Sequence, residues 1–310
     1  MQRRPSNLVK AAVTVTSVAL IASCAGCEAR VYGSPGQDKL SAPQLTVVAP
    51  EIPAATPEQA APAPSFDGLQ ARATQAVSEA ADSGAEIGVM VQDRETGQVV
   101  SAGNTSRWAT ASVVKLFIAD DLLLREPNLS PADRASLDVM LRSSDDSAAE
   151  VFWNRGGGSA IIDRVTARYG LNSTSPPDNG RWFNTLTSAQ DLVRYYDMLL
   201  SGTGGLPPER ANIIMSNLAA STHTAPDGTQ PGGTYPQRFG LPEGLPAEPV
   251  AVKQGWMCCI GSDWMHLSTG VVGRDRRYVM VIYALQPTNA TTARNTVTRA
   301  VQTMFPTGQI

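Results

Sequence analysis

Ser112 and Lys115 stand three positions apart in the apolar run Ala109-Thr110-Ala111-Ser112-Val113-Val114-Lys115-Leu116-Phe117. On a helix, residues three apart share a face, one turn above each other, so the lysine amine reaches the serine hydroxyl. A serine hydroxyl is a weak nucleophile at neutral pH until a neighbouring base takes its proton. A lysine among apolar residues can be that base, because burial disfavours its charged form. If Ser112 opens its helix, its backbone N–H is an unpaired donor that can point at a developing oxyanion. Ser-x-x-Lys alone is a common spacing. Its force comes from two later stretches, Ser144-Asp145-Asp146-Ser147-Ala148-Ala149 and Lys253-Gln254-Gly255-Trp256, which add a hydroxyl, carboxylates and a second amine.

The elements that must position these groups follow from periodicity. Residues 69–81 carry apolar side chains at helical spacing, while 86–93 and 98–102 flank the turn Arg94-Glu95-Thr96-Gly97 as a hairpin. The Ser112 helix runs to about 124. Ser130 and Pro131 open a helix over 131–142. Ser144-Asp145-Asp146 interrupts, 147–153 resumes, Gly156-Gly157-Gly158 breaks again, and Gly170 closes a helix over 159–169. A Pro-rich loop, 175–186, precedes helices to 200 and over 207–218. The end changes character, with one strand beginning at 250–253 and carrying Lys253-Gln254-Gly255, others at 264–272 and 278–285, and a closing helix over 291–305. The fold class is α+β. Two front strands and three back strands make one antiparallel five-stranded sheet built from both chain ends. Terminal helices cover one face and an all-helical insertion covers the other.

With 310 residues, 42% of them hydrophobic, the chain can bury a full core. A formal charge of -3 and the lack of a basic stripe exclude nucleic-acid binding as the main task. No P-loop, no dinucleotide-binding glycine loop and no Gly-x-Ser-x-Gly elbow is present. No cofactor is expected, and with two histidines no metal site of usual zinc spacing.

Residues 1–27 are set apart as a leader. Arg3, Arg4 and Lys10 precede a short apolar run over 11–22, too short to span a membrane as a mature helix. It ends in small residues before Cys24 and again before Cys27. This resembles a bacterial lipobox, whose cysteine is lipidated (palmitate being one such acyl chain) and becomes the new N-terminus. Ile21 in the aliphatic position favours Cys24; an even number of remaining cysteines favours Cys27. Two acyl chains make a firm anchor. Residues 28–65, with seven prolines from Pro35 to Pro64, read as a semi-extended tether. The domain would span 66–310, at the cell membrane on its extracytoplasmic side.

The order of the motifs carries a resemblance. Ser112-Val113-Val114-Lys115 looks like the Ser-x-x-Lys of class A β-lactamases and penicillin-binding proteins, Ser144-Asp145-Asp146 like their Ser-Asp-Asn, and Lys253-Gln254-Gly255 like their Lys-Thr-Gly. The whole chain, including Gly26-Cys27-Glu28-Ala29-Arg30-Val31 and Trp256-Met257-Cys258-Cys259-Ile260-Gly261, also resembles an alanine-rich family of actinobacterial lipoproteins. The first resemblance implies that Ser112 attacks a carbonyl and Lys115 takes its proton. Ser144 relays a proton to the leaving nitrogen with Lys253 behind it, and the N–H groups of Ser112 and Trp256 hold the oxyanion. Asp146, Lys253, Gln254, Gly255 and Trp256 would bind substrate, a cell-wall D-alanyl peptide or a β-lactam-like small molecule, with Lys253 attracting its carboxylate.

Three departures shape that expectation. Asp146 replaces asparagine, and its charge favours the Lys115 ammonium. Gln254 replaces a hydroxyl, and its longer arm should crowd the same slot. The loop 175–186 holds only Asp178 as an acid, and Glu150 lies too near the second motif to serve as the deacylating base. The resemblance therefore implies an acyl-serine protein without efficient β-lactamase turnover, or a binding or scaffolding lipoprotein that keeps the groove.

Smaller signals remain. Cys258 and Cys259 could form a vicinal disulfide, hold a soft metal or stay thiols. His266 reads as a packed strand residue. Trp153, Trp182 and Phe183 read as core or groove, and Asp120-Asp121 as a solvated face or a local ion pair.

Overall fold

The structure, a computed structural model, describes Phe66, 68–230 and 232–310. The expected leader, the tether and both lipidation candidates, Cys24 and Cys27, lie outside the described residues.

The chain begins with α1 (Leu69–Asp82) and the hairpin of β1 (Glu86–Asp93) and β2 (Val99–Gly103), then β3 (Trp108–Ala109). A 3-10 turn, Ala111–Val114, leads directly into α2 (Lys115–Arg125). The helical part continues with α3 (Pro131–Arg142), α4 (Asp146–Arg155) and α5 (Ala160–Tyr169). A second 3-10 turn, Trp182–Asn184, precedes β4 (Leu186–Thr187), α6 (Ala189–Ser201) and α7 (Pro208–Ala219). A small hairpin of β5 (Thr224–Pro226) and β6 (Thr234–Pro236) and the short α8 (Leu241–Gly244) return the chain to the sheet. There β7 (Val250–Ile260), β8 (Asp263–Val272) and β9 (Tyr278–Gln286) are followed by α9 (Ala290–Met304).

Local chemistry explains the boundaries. The Ser130, Ser188 and Asn289 side chains each accept a backbone N–H from the third residue of the helix they open. Gly170, at φ 63°, closes α5 in the left-handed region that glycine enters at no steric cost.

The sheet order is β2-β1-β9-β8-β7, antiparallel throughout, so both chain ends build it as expected. On one face α1 and α9 bury Leu69, Ala73, Val297 and Val301 against Val89, Val91, Met280 and Ile282. On the other, the helical insertion packs Leu116, Phe117, Leu192 and Tyr195 against Met265, Leu267, Val279 and Val281. Fully burying one such side chain stabilises the fold by about 1.5–3 kcal/mol.

The strand that begins at 250–253 carries Lys253, Gln254 and Gly255 as expected and runs on to Ile260, because pairing with β8 (Lys253 with Thr269, Trp256 with His266) satisfies the backbone through the weak strand formers Gln254 and Gly255. One expectation is corrected here. Asp120 and Asp121 are not on a solvated face; both are buried in α2. Asp121 accepts from Arg125 and Arg164, and Asp120 from Arg168 and Tyr169.

Candidate active site

The site forms where the 3-10 turn carrying Ser112 meets the free edge of β7. The approach is close: a Cβ on Gly255 would stand 2.7 Å from the Thr110 carbonyl oxygen, so only glycine lets the strand lie here. Two non-glycine residues at the site take positive φ, Ala111 at 42° and Ser144 at 58°. Such backbone costs on the order of 1–3 kcal/mol and persists where the surroundings enforce it, commonly at functional sites.

Lys115 is fully buried at the start of α2. Its Nζ donates to Ser112 Oγ at 2.8 Å, to the Ser144 carbonyl at 2.7 Å and to Asp146 Oδ1 at 2.5 Å. Ser144 Oγ lies 3.3 Å from it and accepts from Lys253 Nζ at 2.8 Å. One continuous set of polar atoms thus runs from Ser112 through Lys115 and Ser144 to Lys253. Ser144 is free for this because Asp145, not Ser144, caps α4 by accepting from the Ala148 N–H.

Burial pushes the Lys115 ammonium down from its ordinary value, and the charge of Asp146 beside it pushes back. Burial pushes Lys253 down further, helped by the charge of Lys115. Two amines that shed protons readily, joined through a serine hydroxyl, suit proton transfer. The Trp182 ring, 4.7 Å from Lys115 Nζ, favours its charged form as Asp146 does.

A cavity of about 180 Å³ opens above Ser112, lined by Asp146, Trp182, Phe183, Trp256 and Met257. Trp256 stacks on Tyr235 with ring centroids 4.7 Å apart. Trp182 and Phe183 thus belong to the groove, whereas Trp153 is buried in the helical core. The structure brings Ser112, Lys115, Ser144, Asp146 and Lys253 together, with Gly255 and Trp256 beside them.

Gln254, expected to crowd the substrate slot, does not reach it. Strand alternation sends Lys253 and Gly255 toward the Ser112 turn and Gln254 to the opposite face, where its amide donates to the Phe239 carbonyl at 2.5 Å. The hairpin of β5 and β6 was not anticipated, yet Pro226, Gly228 and Thr229 complete the rim. The turn signal Pro226-Asp227-Gly228 was there to be read. Glu150 also enters, indirectly: its Oε2 accepts from Trp182 Nε1 at 3.0 Å. Cys258 and Cys259 are joined in a vicinal disulfide at the end of β7, with Cys258 on the rim.

His266 lies on the far side of β8, as a packed strand residue should. It is fully buried, its Nε2 is 2.6 Å from Tyr235 Oη, and burial pushes its pKa down to about 3. The folded state keeps the ring neutral, while the unfolded chain takes up a proton near pH 6.5. Stability attributable to this residue is therefore full above pH 6.5 and falls below it, by about 1.4 kcal/mol per unit. Between pH 7 and pH 5 the loss should be about 2 kcal/mol. Urea unfolding at several pH values should show a shallower acid-side slope for His266→Gln; an unchanged slope would refute the assignment.

No family model matches the chain. A Mycobacterium tuberculosis protein named "Putative lipoprotein LppW" is 56% identical over 329 residues, covering 100% of both chains. Among solved structures, the β-lactamase from Streptomyces albus G aligns with a TM-score of 0.59 at 19% identity, covering 76% of this chain and 98% of its own. PBP-A aligns with a TM-score of 0.60 at 18% identity, covering 77% and 95%. These two establish the fold, and the identity to the mycobacterial relative establishes the family: the chain belongs to the LppW lipoproteins, built on the fold shared by class A β-lactamases and penicillin-binding proteins.

Proposed function

We propose that the chain is a lipid-anchored, extracytoplasmic protein that forms an acyl-serine on Ser112 from amides or esters of the cell envelope. One observation carries the reading: Lys115 Nζ lies 2.8 Å from Ser112 Oγ while Ser144 links it to Lys253. Ser112 Oγ bonds to the acyl carbon as its proton passes to Lys115. The carbon–nitrogen or carbon–oxygen bond then breaks, and Ser144, backed by Lys253, returns a proton to the leaving group. The N–H groups of Ser112 and Trp256 receive the oxyanion. The anchor is a lipidated cysteine, Cys24 or Cys27, with 28–65 as its tether; the lipoprotein name of the relative supports it.

A second reading has its own observation. The 2.5 Å pair with Asp146 favours the Lys115 ammonium against the effect of burial, and the ammonium is the form that cannot take the serine proton. On that reading the groove binds without turnover. Intact mass after treatment with a fluorophosphonate, with fluorescent penicillin beside it, separates the two. The expected result is one adduct per chain in the wild type, none in Ser112→Ala, and labelling slowed at least about a hundredfold in Lys115→Met. A wild type left unlabelled by either reagent removes the acyl-serine reading and leaves the binding one.

A further inference from the structure

We infer that this cleft selects uncharged acyl donors with apolar substituents and disfavours donors whose leaving group carries a carboxylate. The inference rests on the acyl-serine reading and names the substrate class of that same site.

Holding a carboxylate takes charge-assisted donors aimed at it. The strongest of these are cations, and no Lys, Arg or His side chain lines this cavity among the described residues. Lys253 is buried, and its Nζ is engaged by Ser144 Oγ and by the Gln254 carbonyl at 3.1 Å. The Gln254 amide is spent on the far face of the sheet. Arg294 stands behind the stack of Tyr235 and Trp256, its guanidinium 5.3 Å from the Tyr235 ring, and it does not line the cavity. The one charged side chain on the wall is Asp146, whose side chain is 51% exposed. An incoming carboxylate therefore meets the exposed side of the Asp146 carboxylate, whose Oδ1 is paired with the buried Lys115, and no cation on the cavity wall. At about 6 Å, in a partly screened setting, that repulsion lowers the rate about tenfold.

The remaining wall points to what does fit. Trp182, Phe183, Met257 and Pro226 offer aromatic and aliphatic surface around Ser112. Displacing water from such surface favours an apolar acyl or leaving group. With an aryl ester, Ser112 Oγ bonds to the acyl carbon, the bond from that carbon to the phenolic oxygen breaks, and the serine proton ends on the released phenol.

The test compares phenyl phenylacetate with 3-carboxyphenyl phenylacetate, esters of one acid that differ by the carboxylate. The readout is the Ser112-dependent acylation constant, from phenol release and adduct mass, with Ser112→Ala as background. The neutral ester should acylate about tenfold faster. Asp146→Asn should narrow the ratio toward one. Lys115 serves both esters, so any change in its basicity cancels in that ratio. Equal rates, or a faster carboxylate ester, would overturn the selectivity and leave the acyl-serine reading intact. No Ser112-dependent adduct from either ester or from the fluorophosphonate would overturn both.

Discussion

An acyl group placed on Ser112 is expected to remain for hours after the free reagent is removed. Release needs a water aimed at the ester carbonyl and a base to take its proton, and a positioned base contributes about 10²–10⁴-fold. The loop 175–186 does not supply one. Its only acid, Asp178, lines a separate cavity with Pro176, Asn179 and Asn184. The Trp182 indole stands 4.7 Å from Lys115 Nζ and forms part of the wall beside Ser112, an apolar surface with no base to offer a water. The nearest acid behind that ring, Glu150, accepts from Trp182 Nε1 and from the Asn154 amide, each at 3.0 Å. Trp182→Phe removes the donor, frees Glu150 and opens room for a water, so the adduct lifetime should shorten severalfold. The check is intact mass over time after gel filtration. Decay of the wild-type adduct within a minute would mean that another group activates water and that the account of Trp182 fails.

The same residues show what could be read in advance. Ser112 and Lys115 were legible because helical spacing brings amine to hydroxyl and the two later stretches give that common spacing its force. Ser144 and Lys253 were legible because their order along the chain leaves few alternatives. The sheet was legible because two front strands and three back strands alternate or run apolar around clear turns. Gln254 was misplaced because its side depends on how β7 is seated against the Ser112 turn, a tertiary matter set by the closeness at Gly255. Trp182 was left between core and groove for the same reason. An aromatic in a loop fits either, and only the packing of the two 3-10 turns decides. For Asp120 and Asp121 the local ion pair was legible, as Asp121 with Arg125 four positions on, but their burial was not, because charged residues are seldom fully buried without partners and the partners Arg164 and Arg168 come from α5, more than 40 positions later.

Replacing Asp120 should produce the largest loss of stability of any single charge in the helical part. Asp120 is fully buried in α2. Its Oδ1 accepts from Arg168, and its Oδ2 from Tyr169 Oη at 2.5 Å and Tyr195 Oη at 3.4 Å. Burial pushes its carboxyl up, and the Arg168 guanidinium pushes it back. Asp120→Ala would leave Arg168 half-buried without its counter-charge and the buried Tyr169 phenol without an acceptor. Breaking a buried pair by removing one partner costs about 3–5 kcal/mol, a large share of the 5–15 kcal/mol typical of a whole domain. Asp120→Asn keeps the shape and an acceptor and should cost less. Urea unfolding midpoints measure both, and a loss below about 1 kcal/mol for the alanine variant would show that the network is not holding the helix. The consequence reaches the nucleophile. Tyr195 Oη also lies 3.3 Å from the Leu116 carbonyl, one residue past Lys115, so this cluster pins the turn of α2 from which the base projects. Well below its unfolding midpoint, Asp120→Ala should therefore label more slowly than wild type with the fluorophosphonate, whereas Asp120→Asn should label at nearly the wild-type rate. A base positioned in part by a buried carboxylate more than one helical turn away ties the stability of this fold to its chemistry.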